Sequence, residues 1–216
     1  MRAIAARRDL IREGESPHFV YLLLDGWACR YKTLADGRRQ IVSFLLPGDI
    51  FDAGFLLLGK IDHGIAAITP IRVGGIGRDD FEALLEACPK IAKALWRGER
   101  IAASIQREWT LNVGQRTAFE RLSHLLVETF LRLESVGLTN GQSCDWPPTQ
   151  ADLADATGLT AVHVNRMLQE LRRSGLIALN GRALTIPDMA ALKQAALFSA
   201  AYLHLAPRPG RTGEGA

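Results

Sequence analysis

The sequence predicts an α+β chain in three parts: a turn-rich antiparallel β domain, one long helix, and two short helices closed by a β-hairpin. Three observations predict it. Between Leu10 and about Gly77, short apolar runs alternate with turn residues. From Pro89 the text is helical and holds a stripe that steps by four and three residues. From Pro147, "PPTQADLADATGLTAVHVNRMLQELRRSGLI" sets two helical patterns around one glycine, and "GLIALNGRALTIP" adds a turn between strand-like runs.

The β part comes first. "FVYLLLDGWACRY" carries Asp25-Gly26 in its middle, and "DGRRQIVSFLLPGDIF" runs from Asp36-Gly37 to Pro47-Gly48-Asp49. "GIAAITPIRVGGI" is punctuated by Gly64, Pro70 and Gly74-Gly75. Asp-Gly between apolar residues signals a hairpin. Closely spaced turns between β-rich runs predict a β-roll, a cupin-like double-stranded antiparallel barrel, over residues 1–90.

At Arg78 the texture changes. Pro89 divides a short helix from a long one and suits a first helical turn. The stripe on the long helix is Ile91, Leu95, Gly98, Ala102, Ile105 and Trp109, closing at Asn112, the spacing of a coiled-coil seam. A helix packed on its own barrel also carries a stripe, but one this narrow needs a partner to bury it. Residues 91–113 are therefore expected to be a dimerisation helix, with Gly98 and Ala102 permitting close approach. Gly114 in "LNVGQRT" is expected to be the hinge. Ala118, Leu122, Leu125, Thr129 and Leu133 then share one face of a further helix, beside Leu126 and Phe130, and Gly137 ends it. "LTNGQSCDWPP" reads as a loop.

The last part is a helix-turn-helix pattern. Thr149 is an N-cap candidate with Asp152 as its capping-box partner, Gly158 suits a left-handed cap, and Thr160 caps the second helix. Leu153, Leu159, Val164, Met167 and Leu168 form its core. Asn180-Gly181 is a type I′ hairpin signal and makes the unit, residues 114–188, a winged helix-turn-helix.

In that geometry the front of the second helix enters a DNA major groove. Arg166 can donate two hydrogen bonds to a guanine edge, Asn165 or Gln169 can face an adenine edge or a phosphate, and Val162 can touch a thymine methyl. His163 can contact base, phosphate or neither. Thr149, Gln150 and Thr160 lie at helix starts, where phosphate oxygens are held, and Arg182 in the wing tip can reach a phosphate. Arg172 and Arg173 are solvated surface on this reading.

The bulk numbers agree. With 216 residues, 48% hydrophobic and 23% charged, the chain has the composition of a globular protein with room for two cores. The net charge of +3 permits a nucleic-acid partner without announcing one. "FLLPGDIFDAGFLLLG" is broken by Pro47, Asp49 and Asp52, so no membrane span is expected, and "MRAIAARRDLIREGE" lacks a secretion signal's apolar stretch. A cytoplasmic address is expected. Cys29, Cys88 and Cys144 are far apart and odd in number, which suggests idle thiols and neither disulfide nor metal site.

In order and spacing, roughly from Asp9 to Pro187, the chain resembles the Crp/Fnr family of bacterial transcription regulators. The marks are "IREGE", "LLLDGWACRY", "GRRQIVSFLLPGD", "PPTQADLADATGLT" and "VNRMLQELRRSGLI". The resemblance implies a homodimer joined by the long helix, two recognition helices on a palindromic site of double-stranded DNA, RNA polymerase as a further partner, and Arg166 as the base-reading arginine. Members that bind cyclic AMP carry a glutamate for the ribose and an Arg-Ser pair for the phosphate. Here those positions fall at Ala53 and near His63-Gly64, so cyclic AMP is not expected to bind in the family's manner. Nothing here replaces the cation that offsets phosphate burial. No cysteine precedes Cys29, so an N-terminal iron–sulfur cluster is not expected either. The effector-binding residues stay unknown, with His63 a bare possibility as a metal ligand. Ala161 and Val162 stand where well-known members place Arg and Glu, so the DNA target should differ. Against the resemblance, the chain is expected to start late, close to the first strand, with its start either truncated or trimmed in this subgroup. Residues 189–216 add an apolar helix, "DMAALKQAALFSAAYLHLAP", and a tail, "RPGRTGEGA", expected to be disordered.

Two other readings compete: a small-molecule-binding module whose helix-turn-helix does not bind DNA, and an enzyme. For the latter, Asp79, Asp80 and Glu82 cluster, but in a first helical turn, where acidic residues suit the dipole. No G-x-S-x-G, H-E-x-x-H or Walker loop appears, and no catalytic residue is assigned.

Overall fold

Two four-stranded antiparallel sheets face each other in the N-terminal roll of the computed structural model, which describes residues 1–51, 53–54 and 59–205. The first sheet has the order β1 (Arg2–Ile4), β8 (Ile71–Gly77), β3 (Phe19–Asp25), β6 (Ile50–Phe51). The second has the order β2 (Asp9–Ile11), β7 (Gly64–Ala67), β4 (Ala28–Thr33), β5 (Arg39–Leu45). The space between them is filled by Leu23, Phe51, Ile65, Ile71 and Val73. Asp52, residues 55–58 and the tail "RPGRTGEGA" lie outside the described residues.

The two Asp-Gly turns do different work. Asp36-Gly37 closes a true hairpin, β4 on β5. Asp25-Gly26 does not, because β3 and β4 belong to different sheets. Gly26 turns a corner of the roll at φ 81°, and a Cβ there would lie 2.2 Å from the Pro70 carbonyl oxygen. The next amide, Trp27 N–H, donates to Thr69 Oγ1 at 2.8 Å and fixes the corner. Close backbone approach, not hairpin chemistry, is what demands glycine here.

The helices follow: α1 (Arg78–Ala87), α2 (Pro89–Gln115) and α3 (Ala118–Ser135). α2 runs straight through Gly114. The break comes at Arg116-Thr117, where Thr117 and Glu120 form a reciprocal capping box (Thr117 N–H to Glu120 Oε2, 2.8 Å). Two satisfied amides at a new helix start outweigh one glycine's propensity inside a long helix.

A third four-stranded sheet has the order β11 (Ala178–Asn180), β12 (Ala183–Thr185), β10 (Ser143–Asp145), β9 (Thr139–Asn140). The "LTNGQSCDWPP" loop thus contains a hairpin of its own. In both hairpins the loop residues follow the asparagine: Asn140 pairs with Ser143 and Asn180 with Ala183. Only the glycine of each loop has positive φ, 58° at Gly141 and 60° at Gly181. That is the type II′ pattern, one residue later than the type I′ reading.

The expected C-terminal helix is two pieces. α6 (Met189–Ala195) stops, Leu197 turns left-handed at φ 48°, and a single 3-10 turn covers Ala200–Leu203.

The C-terminal half does not keep its core to itself. Trp27, Cys29, Ile41 and Phe44, on the outer side of the second roll sheet, join Trp109, Leu126, Phe130, Trp146, Leu153 and Ala156 in one continuous cluster. Trp27 meets Trp146 edge-on at 5.7 Å, and Phe44 meets Trp109 edge-on at 6.1 Å. α3 is consequently buried on nearly every side from Leu122 to Leu131, not on one stripe.

Candidate nucleic-acid interface

The interface is built from α4 (Gln150–Thr157) and α5 (Ala161–Arg173). Local chemistry dictates both. Thr149 caps α4: its Oγ1 accepts from Asp152 N–H and donates to Asp152 Oδ2 at 2.7 Å, while Thr149 N–H donates to the same oxygen at 2.8 Å. Gly158 closes α4 at φ 66°. Thr160 Oγ1 accepts from His163 N–H at 3.2 Å and opens α5. Val164, Met167, Leu168 and Leu171 turn inward. The opposite face, Val162, Arg166 and Gln169, is exposed, with Val162 81% accessible.

Gln150, Ala161, Val162, Asn165, Arg166 and Gln169 line one shallow depression. Its polar groups are already organised. Asn165 Nδ2 donates to Gln150 Oε1 at 3.1 Å, and Gln169 Nε2 donates to Asn165 Oδ1 at 2.8 Å. An Arg166 guanidinium nitrogen lies 2.9 Å from His163 Nε2, which makes that imidazole nitrogen the acceptor. His163 thus steadies the arginine, a role that its sequence position left open. A row of amide donors and acceptors beside a fixed guanidinium matches the hydrogen-bonding edges of base pairs.

Two of the expected phosphate contacts have partners within the chain. The Thr149 hydroxyl is engaged in its own cap. Arg182 pairs with Asp145 (3.0 Å) across the wing, with both side chains exposed. Such a surface pair is weak and can exchange partners with a phosphate.

The long helix also needs a correction. Gly98 is exposed, and Ile91 and Ala102 are half-buried, but Leu95 packs toward the roll core and Ile105 toward the shared core. Trp109 leaves the seam altogether: it is 6% exposed, and its Nε1–H donates to Glu128 Oε1 at 2.8 Å. Asn112 is buried as well, donating to the Arg121 carbonyl. A stripe of period 3.5 on a helix of period 3.6 drifts by about 20° per heptad, so its far end rotates into the chain's own core. Trp96, 73% exposed, stands on the same helix with no cover.

Sequence reasoning missed the groups that hold this unit on the roll. Arg7, at a left-handed φ of 63°, sends its guanidinium to Asp152 Oδ1 at 2.6 Å. Gln40 Nε2 donates to the Ala156 carbonyl at 3.3 Å. Arg132 pairs with Asp49 at 2.8 Å and donates to the Phe44 carbonyl at 3.1 Å. Arg121 gathers the Thr157, Val113 and Arg116 carbonyls at the hinge. No spacing or composition signal in "FERLSHLL" marked Arg121 for this role.

Burial alone would raise the Asp152 carboxyl, but hydrogen bonds from Arg7 and Thr149 and the charge of Arg7 outweigh it and leave it below the usual range. A depressed carboxyl stabilises the fold above its unfolded value, about pH 4, and that share disappears as pH falls through the folded value. Arg7→Ala is expected to cost about 1.5 kcal/mol at neutral pH, a low figure because Arg7 is half in water. In urea titrations across pH, the gap between variant and wild type should be constant above the ordinary carboxylate range and close as pH falls through the depressed folded value. A gap that persisted in acid would rule out the ion pair as its source.

In the roll, Ala53 packs against the apolar core, and His63 Nδ1 lies 2.8 Å from Asp62 Oδ1. Among the described residues no group of three or more His, Cys, Asp or Glu is placed to hold a metal ion. No helix of the described residues is long and apolar enough to cross a membrane.

Comparison with known proteins covers both halves. Residues 1–88 match the cyclic nucleotide-binding domain and residues 120–195 the Crp-like helix-turn-helix domain. The transcriptional activator protein FnrL of Cereibacter sphaeroides is 32% identical over 199 residues, 90% of this chain and 79% of that protein. The transcriptional activatory protein AadR of Rhodopseudomonas palustris is 32% identical over 176 residues, 80% of this chain and 71% of that protein. The structure of FixK2 from Bradyrhizobium japonicum superposes with a TM-score of 0.78 at 27% identity, covering 90% of this chain and 95% of that one. Similarity to activators in both halves disfavours a small-molecule module without DNA binding, and these relatives are regulators and not enzymes by name.

Proposed function

The chain belongs to the Crp/Fnr family of DNA-binding transcription regulators, and from that premise we propose that it acts as a homodimer reading a palindromic promoter site. One observation carries the reading: on the outer side of α4 and α5, Gln150, Asn165 and Gln169 are joined by hydrogen bonds, and Arg166 beside them is held by His163. Direct readout needs such a pre-set array, because side chains ordered in advance lose less freedom on binding.

Arg166 reads a guanine, Val162 meets a thymine methyl, and the amides take adenine or phosphate. Thr160, at the start of α5, and Arg182, released from Asp145, hold the backbone. Two copies pair along the side of α2 that runs from Ile91 through Gly98 to Ala102. Trp109 takes no part. RNA polymerase is the further partner for a regulator working in the cytoplasm. Ala53 gives the roll no carboxylate for a ribose, so its input is an effector other than cyclic AMP bound in the family's manner, and no iron–sulfur cluster is assigned.

The test is titration of the purified protein with duplexes selected from a random pool. The selected sites should be palindromic, with half-site centres about 34 Å apart. Binding should weaken steeply with salt, by a log–log slope of roughly 0.9 per phosphate neutralised. Selection of no common sequence, or a flat salt dependence, would reject the proposal.

A further inference from the structure

The buried carboxylate of Glu128 joins three elements that the DNA-reading function leaves unexplained. It is 0% exposed. Trp109 Nε1–H, from α2, donates to Oε1 at 2.8 Å, and the Tyr202 hydroxyl, from the 3-10 turn, donates to Oε2 at 2.7 Å. Glu128 itself belongs to α3. Burial pushes the Glu128 carboxyl up, and a buried carboxyl group left without one of its donors keeps the cost of its lost hydration, so the arrangement is cheap only with all three elements in place.

The segment from Leu197 to His204 lies along α2 like a strap. At one end Arg116, the residue at the hinge, pairs with Glu108 at 2.6 Å and donates to the Leu197 carbonyl at 3.4 Å. At the other, Arg97 donates to the His204 carbonyl at 3.4 Å. Leu197 and His204 are both left-handed without being glycine, at φ 48° and 46°. Such bends are sustained only where contacts over-determine them. Between them Phe198 and Tyr202 pack on the buried His124 ring, at 4.9 and 5.9 Å, and Leu203 is 3% exposed. Burial, with the charge of Arg116, holds the His124 imidazole down at about 3, so the packing surface is neutral.

We propose that residues 197–204 form a strap that fixes the angle between α2 and α3, with Tyr202 as its positioning residue. That angle sets which half-site spacing the protein reads. The proposal rests on the dimeric DNA-reading function: α2 carries the pairing surface, α3 leads into the helix-turn-helix, and the relation between the two α5 helices passes through their junction. Apolar packing by Phe198 and Leu203 holds the strap down, but only a directional bond such as that from the Tyr202 hydroxyl resists small rotations.

The test uses the full chain and the duplex selected by the wild-type protein, with half-site separation changed by one and two base pairs, and one half-site alone. Tyr202→Phe keeps the ring and removes the hydroxyl; Glu128→Gln combined with Tyr202→Phe removes the carboxylate that needs it and leaves an amide oxygen for the Trp109 indole N–H. Wild type should prefer its own spacing over the displaced ones. In both variants that preference should shrink by about tenfold, while affinity for the single half-site stays level. The double variant also keeps the result interpretable if Tyr202→Phe is poorly folded. An unchanged spacing profile in a folded variant, or an equal loss on every duplex including the half-site, would overturn the strap. A wild-type protein that bound neither palindrome nor half-site would overturn the DNA-reading function beneath it.

Discussion

Trp109→Ala is expected to remove about 4 kcal/mol of folding stability, the usual range for deleting a buried aromatic ring. The ring is nearly inaccessible, meets Phe44 of the roll edge-on and caps Glu128 with its indole N–H. Truncation therefore opens a cavity at the junction of roll and reading unit and strips a buried carboxylate of one donor. A domain of ordinary stability holds about 5–15 kcal/mol in total, so the variant should be marginal at physiological temperature. Urea unfolding followed by circular dichroism measures it. A loss below about 1 kcal/mol would mean that the ring is not packed inside its own chain, and would return it to the pairing seam.

Arg166→Ala should show the opposite profile. The side chain is exposed and, among the described residues, bonds to His163, so stability should change by no more than about 0.5 kcal/mol. Specific DNA affinity should fall by about 1–3 kcal/mol, and discrimination should relax at one base pair of each half-site. A phosphate contact behaves differently: its loss weakens all sequences alike and lowers the salt slope by about one. Competition binding against single-base-pair variants of the selected duplex separates the two. Uniform weakening would reassign Arg166 to the backbone. His163→Ala should give a smaller loss of the same pattern, because the guanidinium survives and only its orientation is freed.

The helix-turn-helix was legible because its signals are local. Thr149 with Asp152, Gly158, and Thr160 each act on atoms within a few residues, so the sequence neighbours dictate the geometry. The same locality makes the missed β9–β10 hairpin instructive. Asn140-Gly141 carries the dipeptide that marked the wing at Asn180-Gly181, but short strands around it disguised the pattern. The long-helix stripe was half legible. Periodicity states that a face is apolar and says nothing about what covers it, and here the chain's own Phe44 and Glu128 take Trp109 before a partner can. The Gly114 hinge failed for a related reason, since a glycine permits a break while the Thr117–Glu120 box enforces one. Contacts such as Arg7 with Asp152, 145 residues apart, leave no trace in spacing or composition. The same holds for the meeting of Glu128 and Tyr202.

The cluster that runs from Trp27 and Phe44 into Trp146 and Leu153 bears on how such a chain can be taken apart. Cutting at the hinge would leave the roll with a bare aromatic wall, a surface prone to sticking to its own kind. A chimera carrying another regulator's reading unit would have to match that wall ring for ring, so grafts made at Arg116-Thr117 should melt early unless the outer faces of β4 and β5 travel with them.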